Sequence, residues 1–66
     1  MKRAELIQSL RAEAAAAGKT FELARQGRAH EIWQVRLAKV SIPRHREISP
    51  GVTRSIMKTV RDELER

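Results

Sequence analysis

The chain has no cysteine and no tyrosine, and its aromatic residues are a single tryptophan and a single phenylalanine. Without cysteine there is neither a disulfide nor a thiolate metal site, which fits a reducing cytoplasm as the expected location. Two histidines without a cluster of ligands argue against zinc, and no metal or other cofactor is expected. No apolar run approaches the roughly 18 residues of a membrane span. The basic opening Met1-Lys2-Arg3-Ala4-Glu5 leads into no unbroken apolar segment, so neither a signal peptide nor a membrane association is expected. No Gly-rich phosphate loop and no acidic pair at catalytic spacing is present. Ser9, Ser41, Ser49 and Ser55 each read as ordinary strand, cap or helix residues, with nothing to mark a serine nucleophile.

Carboxylates are also scarce where they would matter. The 66 residues hold 14 Lys and Arg against eight Asp and Glu, a formal charge of +6. Between Lys19 and Arg61 the basic residues are Lys19, Arg25, Arg28, Arg36, Lys39, Arg44, Arg46, Arg54, Lys58 and Arg61, opposed only by Glu22, Glu31 and Glu47. Such a field on so small a domain attracts polyanions. Most of the cations are arginine, whose planar fork suits phosphate, so nucleic acid is the favoured partner over a membrane surface. A protein-interaction subunit matched to an acidic partner is a further reading of the same charge.

One domain is all the length allows, and its core must be thin, because a chain this short buries only about 60% of its unfolded surface. Leu6, Ile7, Leu10 and Ala14 share one face of a helix expected from about Arg3 to Ala17, and Gly18 stops it. Alternation in Thr20–Arg25 predicts a strand that half-buries Phe21 and Leu23. After a turn at Gln26-Gly27-Arg28, a second strand from about Ala29 to Leu37 sets Trp33, Val35 and Leu37 on one face. His30, Ile32, Gln34 and Arg36 fall on the other. Ala38-Lys39 is a weak turn signal, and Val40 and Ile42 form a third strand ended by Pro43. Ser49 as N-cap and Pro50 at the first helical position open a last helix, with Val52, Ile56, Val60 and Leu64 as its apolar stripe. Arg54, Lys58 and Arg61 make a separate stripe, which reads equally as a solvated face. The predicted fold is α+β: helix, three antiparallel strands, helix, with both helices on one face of the sheet, an arrangement like that of double-stranded-RNA-binding domains.

One residue type suited to proton transfer remains. His30 falls on the open face of the sheet. Histidine titrates near neutral pH, and RNA supplies its own 2′-hydroxyl nucleophile. An RNA-cleaving site therefore needs only a proton-transfer group and cations to stabilise the developing charge. Arg25, Arg28 and Arg36 are expected to bind phosphate beside His30, and Lys39, Arg44, Arg46, Arg54 and Lys58 to track the flanking backbone. By pattern alone His30 is also readable as a plain surface residue. Trp33 is readable as a base-stacking platform, although its alternation with Val35 argues for the core.

Three stretches resemble the HicA family of bacterial toxins, over about Arg3 to Lys58. Arg3-Ala4-Glu5-Leu6-Ile7 looks like that family's first helix. Arg25-Gln26-Gly27-Arg28-Ala29-His30-Glu31-Ile32-Trp33 is similar to its Arg-Gln-x-Gly-Ser-His-x-Ile/Val-aromatic run. Ile42-Pro43-Arg44-His45, with Ile48, Pro50-Gly51-Val52, Arg54 and Ile56-Met57-Lys58, looks like its closing Val-Pro-x-His and Gly-Thr-Leu-x-x-Ile segments. The resemblance implies the same helix, three strands and helix. It also implies a cytoplasmic, metal-independent endoribonuclease (an mRNA interferase) of a type II toxin–antitoxin system, acting on mRNA and held in check by a HicB-type antitoxin that covers the site. His30 falls on the family's catalytic histidine. His45 falls on a position often histidine, where RNA contact and a hydrogen bond within the loop are both open readings. The chain departs from the pattern in three places, the first being a first helix extended by its alanines. Arg28-Ala29 replaces the Gly-Ser before the histidine, which leaves a non-catalytic RNA-binding module as the alternative, and Lys19-Thr20 look inserted before Phe21.

Overall fold

The computed structural model describes all 66 residues as α1 (Arg3–Ala16), β1 (Phe21–Gln26), β2 (His30–Val35), β3 (Ala38–Pro43) and α2 (Pro50–Leu64). The strands form one antiparallel sheet in the order β1-β2-β3. The α-β-β-β-α order and the three-stranded sheet are those predicted.

Local chemistry explains the boundaries. Gly18 takes a left-handed φ of +72°, and the Lys19 N–H donates to Ala14 O at 2.8 Å while the Gly18 N–H donates to Ala15 O at 3.0 Å. That pair of bonds closes a helix end that only glycine adopts without steric penalty. No side chain caps the start of α1. Instead the Arg3 N–H donates to Arg46 O at 2.9 Å, which docks the helix start on the β3–α2 loop. Ser49 caps α2 by accepting from the Val52 N–H, with Pro50 following. No helix is long and apolar enough to cross a membrane.

The core lies between the helices and one face of the sheet. Leu6, Ile7, Leu10 and Ala14 enter it from α1. Phe21, Trp33, Val35, Val40 and Ile42 enter from the sheet, Ile48 from the loop, and Ile56 and Val60 from α2. Cross-strand partners share a face, so the pairs Trp33–Val40 and Glu31–Ile42 mark the helix-covered side. His30–Pro43, Ile32–Ser41 and Gln34–Lys39 mark the open side. The indole of Trp33 stacks on Phe21 with centroids 5.1 Å apart, under the guanidinium of Arg11. Trp33 is thus a core residue and offers no platform for a base.

Four expected positions are different. Leu37 is 86% exposed, not packed with Trp33 and Val35. The chain reverses at Arg36-Leu37, with Arg36 at a left-handed φ of +53°, and Ala38-Lys39 already belongs to β3. The turn comes two residues early because Val35 closes the hairpin against Ala38. Leu23 is 42% exposed because it lies on the edge strand, where a bulge between Leu23 and Arg25 breaks the alternation. On α2, Val52 is exposed while Thr53 and Glu63 are buried. The buried stripe therefore runs through Thr53, Ile56, Val60 and Glu63, with Leu64 at its margin.

Candidate functional site

His30 opens β2 at one end of the sheet and is exposed on the open face. Its ring has no hydrogen-bond or ion-pair partner within the chain. Beside it lies a hollow of about 300 Å³ lined by Arg25, Gly27, Arg28, Ala29, His30 and Ile32. The Arg25 side chain reaches this face because the bulge after Leu23 pairs Arg25 with Ile32.

The loop that carries the hollow is tightly held. The Gly27 N–H donates to His30 O at 2.9 Å. A Cβ on Gly27 would lie 2.8 Å from that same carbonyl oxygen, so only glycine fits without movement. Arg44, just past the end of β3, clamps the loop: its backbone N–H donates to Ala29 O at 2.9 Å and its Nη1 to Gly27 O at 3.1 Å. Arg44, read from sequence as a backbone-tracking cation, is thus also a structural tie.

On the helix-covered side, directly behind His30, Glu31 is buried. It accepts hydrogen bonds from Trp33 Nε1 and Gln26 Nε2, each at 3.2 Å, and is ion-paired with Arg3. Arg3 Nε also donates to Pro43 O at 3.0 Å, the residue paired with His30 across the sheet. The sequence mark of this network is parity: Glu31 falls on the same face of the strand as Trp33 and Val35.

The other predicted residues are scattered. Arg36 lies at the opposite end of β2 from His30, about 20 Å along the strand direction. There its Nε is 3.9 Å from the buried Glu63 and its Nη1 donates to Arg66 O at 3.5 Å. It is therefore not a phosphate ligand beside His30; the reason is that the five extended residues Glu31 to Val35 lie between the two. Lys39 is on the open face but at that same far end, opposite Gln34. His45 and Arg46 are exposed in the β3–α2 loop, and the His45 ring makes no hydrogen bond within the chain. Arg54 and Lys58 project from α2, across the sheet from His30. Lys58 Nζ is 2.9 Å from Asp62 Oδ2. That hydrogen bond, and then the charge of Asp62, raises its pKa above the ordinary lysine value. Arg61 forms two bonds to Glu13, at 2.8 and 3.1 Å; the hydrogen bond to Glu13, followed by its charge, raises the Arg61 pKa further. No three His, Cys, Asp or Glu side chains gather into a metal-binding group. The structure thus brings together His30, Arg25 and Arg28, with Arg44 behind them.

No protein-family model matches the chain, and no curated protein or solved structure matches it at a significant level.

Proposed function

We propose that the protein is a metal-independent endoribonuclease of the toxin type, with His30 as its single proton-transfer group. The observation that carries this reading is the unpartnered, exposed His30 at the start of β2, beside Arg25 and Arg28 and next to a loop held by Gly27 and Arg44. An imidazole without an internal partner is free to take the 2′-hydroxyl proton as that oxygen attacks phosphorus, or to protonate the 5′-oxygen as its bond to phosphorus breaks, with solvent water exchanging the other proton. Arg25 and Arg28 stabilise the charge that develops on the phosphorus oxygens. Arg46, exposed beyond Pro43, extends the cationic track, and the exposed His45 beside it offers a further hydrogen-bonding group. The resemblance to HicA toxins adds the expected substrate, mRNA, and the expected partner, a HicB-type antitoxin.

The second reading, a non-catalytic RNA-binding module on the same surface, is favoured by one observation: Arg28-Ala29 stands where the resembling family carries Gly-Ser. Incubation with a uridine-containing oligonucleotide and its all-deoxy counterpart, in EDTA, separates the two. Cleavage of the RNA alone, lost in His30→Ala, is the expected result. Salt-sensitive binding with intact RNA establishes the module. Failure to bind RNA at low salt removes both readings.

A further inference from the structure

The two free edges of the sheet are unlike. The β1 edge is broken by the bulge between Leu23 and Arg25, a feature that blocks strand addition. The β3 edge is regular from Ala38 to Pro43. Val35–Ala38 closes a two-residue hairpin, so it exchanges both backbone bonds, and bonded and non-bonded pairs alternate from there. Arg44 N to Ala29 O, at 2.9 Å, keeps the same parity. Lys39 and Ser41 therefore turn their N–H and C=O groups outward, away from β2.

Alongside this edge runs a groove of about 270 Å³ between β3 and α2, with Lys39 and Ser41 on one wall and Val52, Ser55 and Thr59 on the other. Val52 is one of the few exposed large apolar residues. Lys39 makes no ion pair, and no carboxylate lines the groove.

We propose that the β3 edge and its groove are a docking site for an extended acidic segment of a partner protein, added as a fourth strand. Strand addition supplies backbone bonds at Lys39 and Ser41, and side-chain alternation sets the preference. One set of partner residues faces Lys39 on the open side and is carboxylate. The other set lies over Val52 and Ser55 and is small and apolar. Charge decides the occupant. A second copy of this chain brings another +6 and is repelled. Phosphate oxygens only accept hydrogen bonds, so RNA would leave the outward C=O groups of Lys39 and Ser41 unpaired, whereas a strand matches both donors and acceptors. The proposal is independent of His30 and of any cleavage.

The test is titration of ¹⁵N-labelled protein with a set of octapeptides alternating Asp or Glu with Val, Thr or Ala. Controls of the same composition carry their carboxylates in one block. The expected result is saturable binding of alternating peptides only, with slowed hydrogen exchange at the Lys39 and Ser41 amides. Val52→Glu, at an exposed position, abolishes it and leaves RNA binding and cleavage as in the parent. Ser41→Pro also abolishes it, since the lost N–H points away from β2; Lys39→Glu weakens it about fivefold. The proposal is overturned if no alternating octapeptide saturates, if block controls bind equally, if the protected amides lie around His30, or if the edge is occupied by a second copy in sedimentation.

Discussion

Arg3 in the first turn of α1 and Glu31 in β2 form an ion pair beneath the sheet, at the residue next to the candidate catalytic histidine. Because Glu31 is held on the helix-covered face by Arg3, Trp33 and Gln26, its neighbour His30 is held on the open one. Removing one partner of a buried pair leaves the other uncompensated, which costs more than the pair contributes. Glu31→Ala also strands the Trp33 indole N–H. The expected loss is about 3 kcal/mol, a large share of the roughly 3–10 kcal/mol available to a domain of this size. Glu31→Gln retains an acceptor for Trp33 and loses less than half as much. Urea unfolding of both variants checks this; a loss under about 1 kcal/mol for Glu31→Ala means the network is not load sharing between α1 and the sheet.

Gly27 is required by a contact, since its φ is not left-handed. A methyl group there meets the His30 carbonyl at 2.8 Å, and that oxygen accepts the Gly27 N–H. Gly27→Ala is expected to cost about 1–3 kcal/mol by breaking or lengthening this bond and to move His30. Amide shifts at His30, Ala29 and Arg44 report the displacement. Unchanged shifts with unchanged stability would mean that the loop adjusts elsewhere.

Val35 and Leu37 have the same sequence parity and opposite fates: 1% and 86% exposed. Val35→Ala deletes packed methyl groups and is expected to cost about 2 kcal/mol. Leu37→Ala and Leu37→Lys are expected to stay within about 0.5 kcal/mol. Thermal unfolding of the three decides it, at roughly 4–8 °C per kcal/mol. Equal losses at both positions would restore Leu37 to the core.

The contrast shows what was legible in the sequence. Period and end chemistry carried the elements: Leu6, Ile7, Leu10 and Ala14 occupy the face their spacing implies, and Gly18, Ser49 and Pro50 mark real ends. Parity failed where the strand stopped being a strand. Nothing in Arg36-Leu37 announces a turn, because neither residue is a usual left-handed or turn residue, and Arg36 occupies φ +53° because the hairpin's pairing requires it. The bulge that brings Arg25 to the His30 side has no local sequence mark either. At the site, proximity in sequence was a fair guide for Arg25 and Arg28, which lie across one tight turn from His30. It misled for Arg36, since an extended strand carries a residue about 3.3 Å away with every step. Arg44 reaches the same loop only through the β2–β3 pairing, which sequence distance hides.

That geometry separates the cations by function, and salt dependence measures the separation. Under the proposed reading, Arg25 and Arg28 contact phosphate beside His30, whereas Arg54 projects from α2 on the far side of the sheet. Each phosphate contact to single-stranded RNA releases condensed counterion and adds about 0.7 to the slope of log K against log salt. Arg25→Gln and Arg28→Gln are each expected to lower the slope by about that amount and weaken binding, leaving the fold intact because neither side chain has an internal partner. Arg54→Gln, equal in charge change, is expected to leave the slope unchanged. Binding of a short RNA measured from low to moderate salt checks all three against the parent. Equal reductions at Arg25, Arg28 and Arg54 would mean that RNA responds to the net charge of the domain and not to the surface around His30.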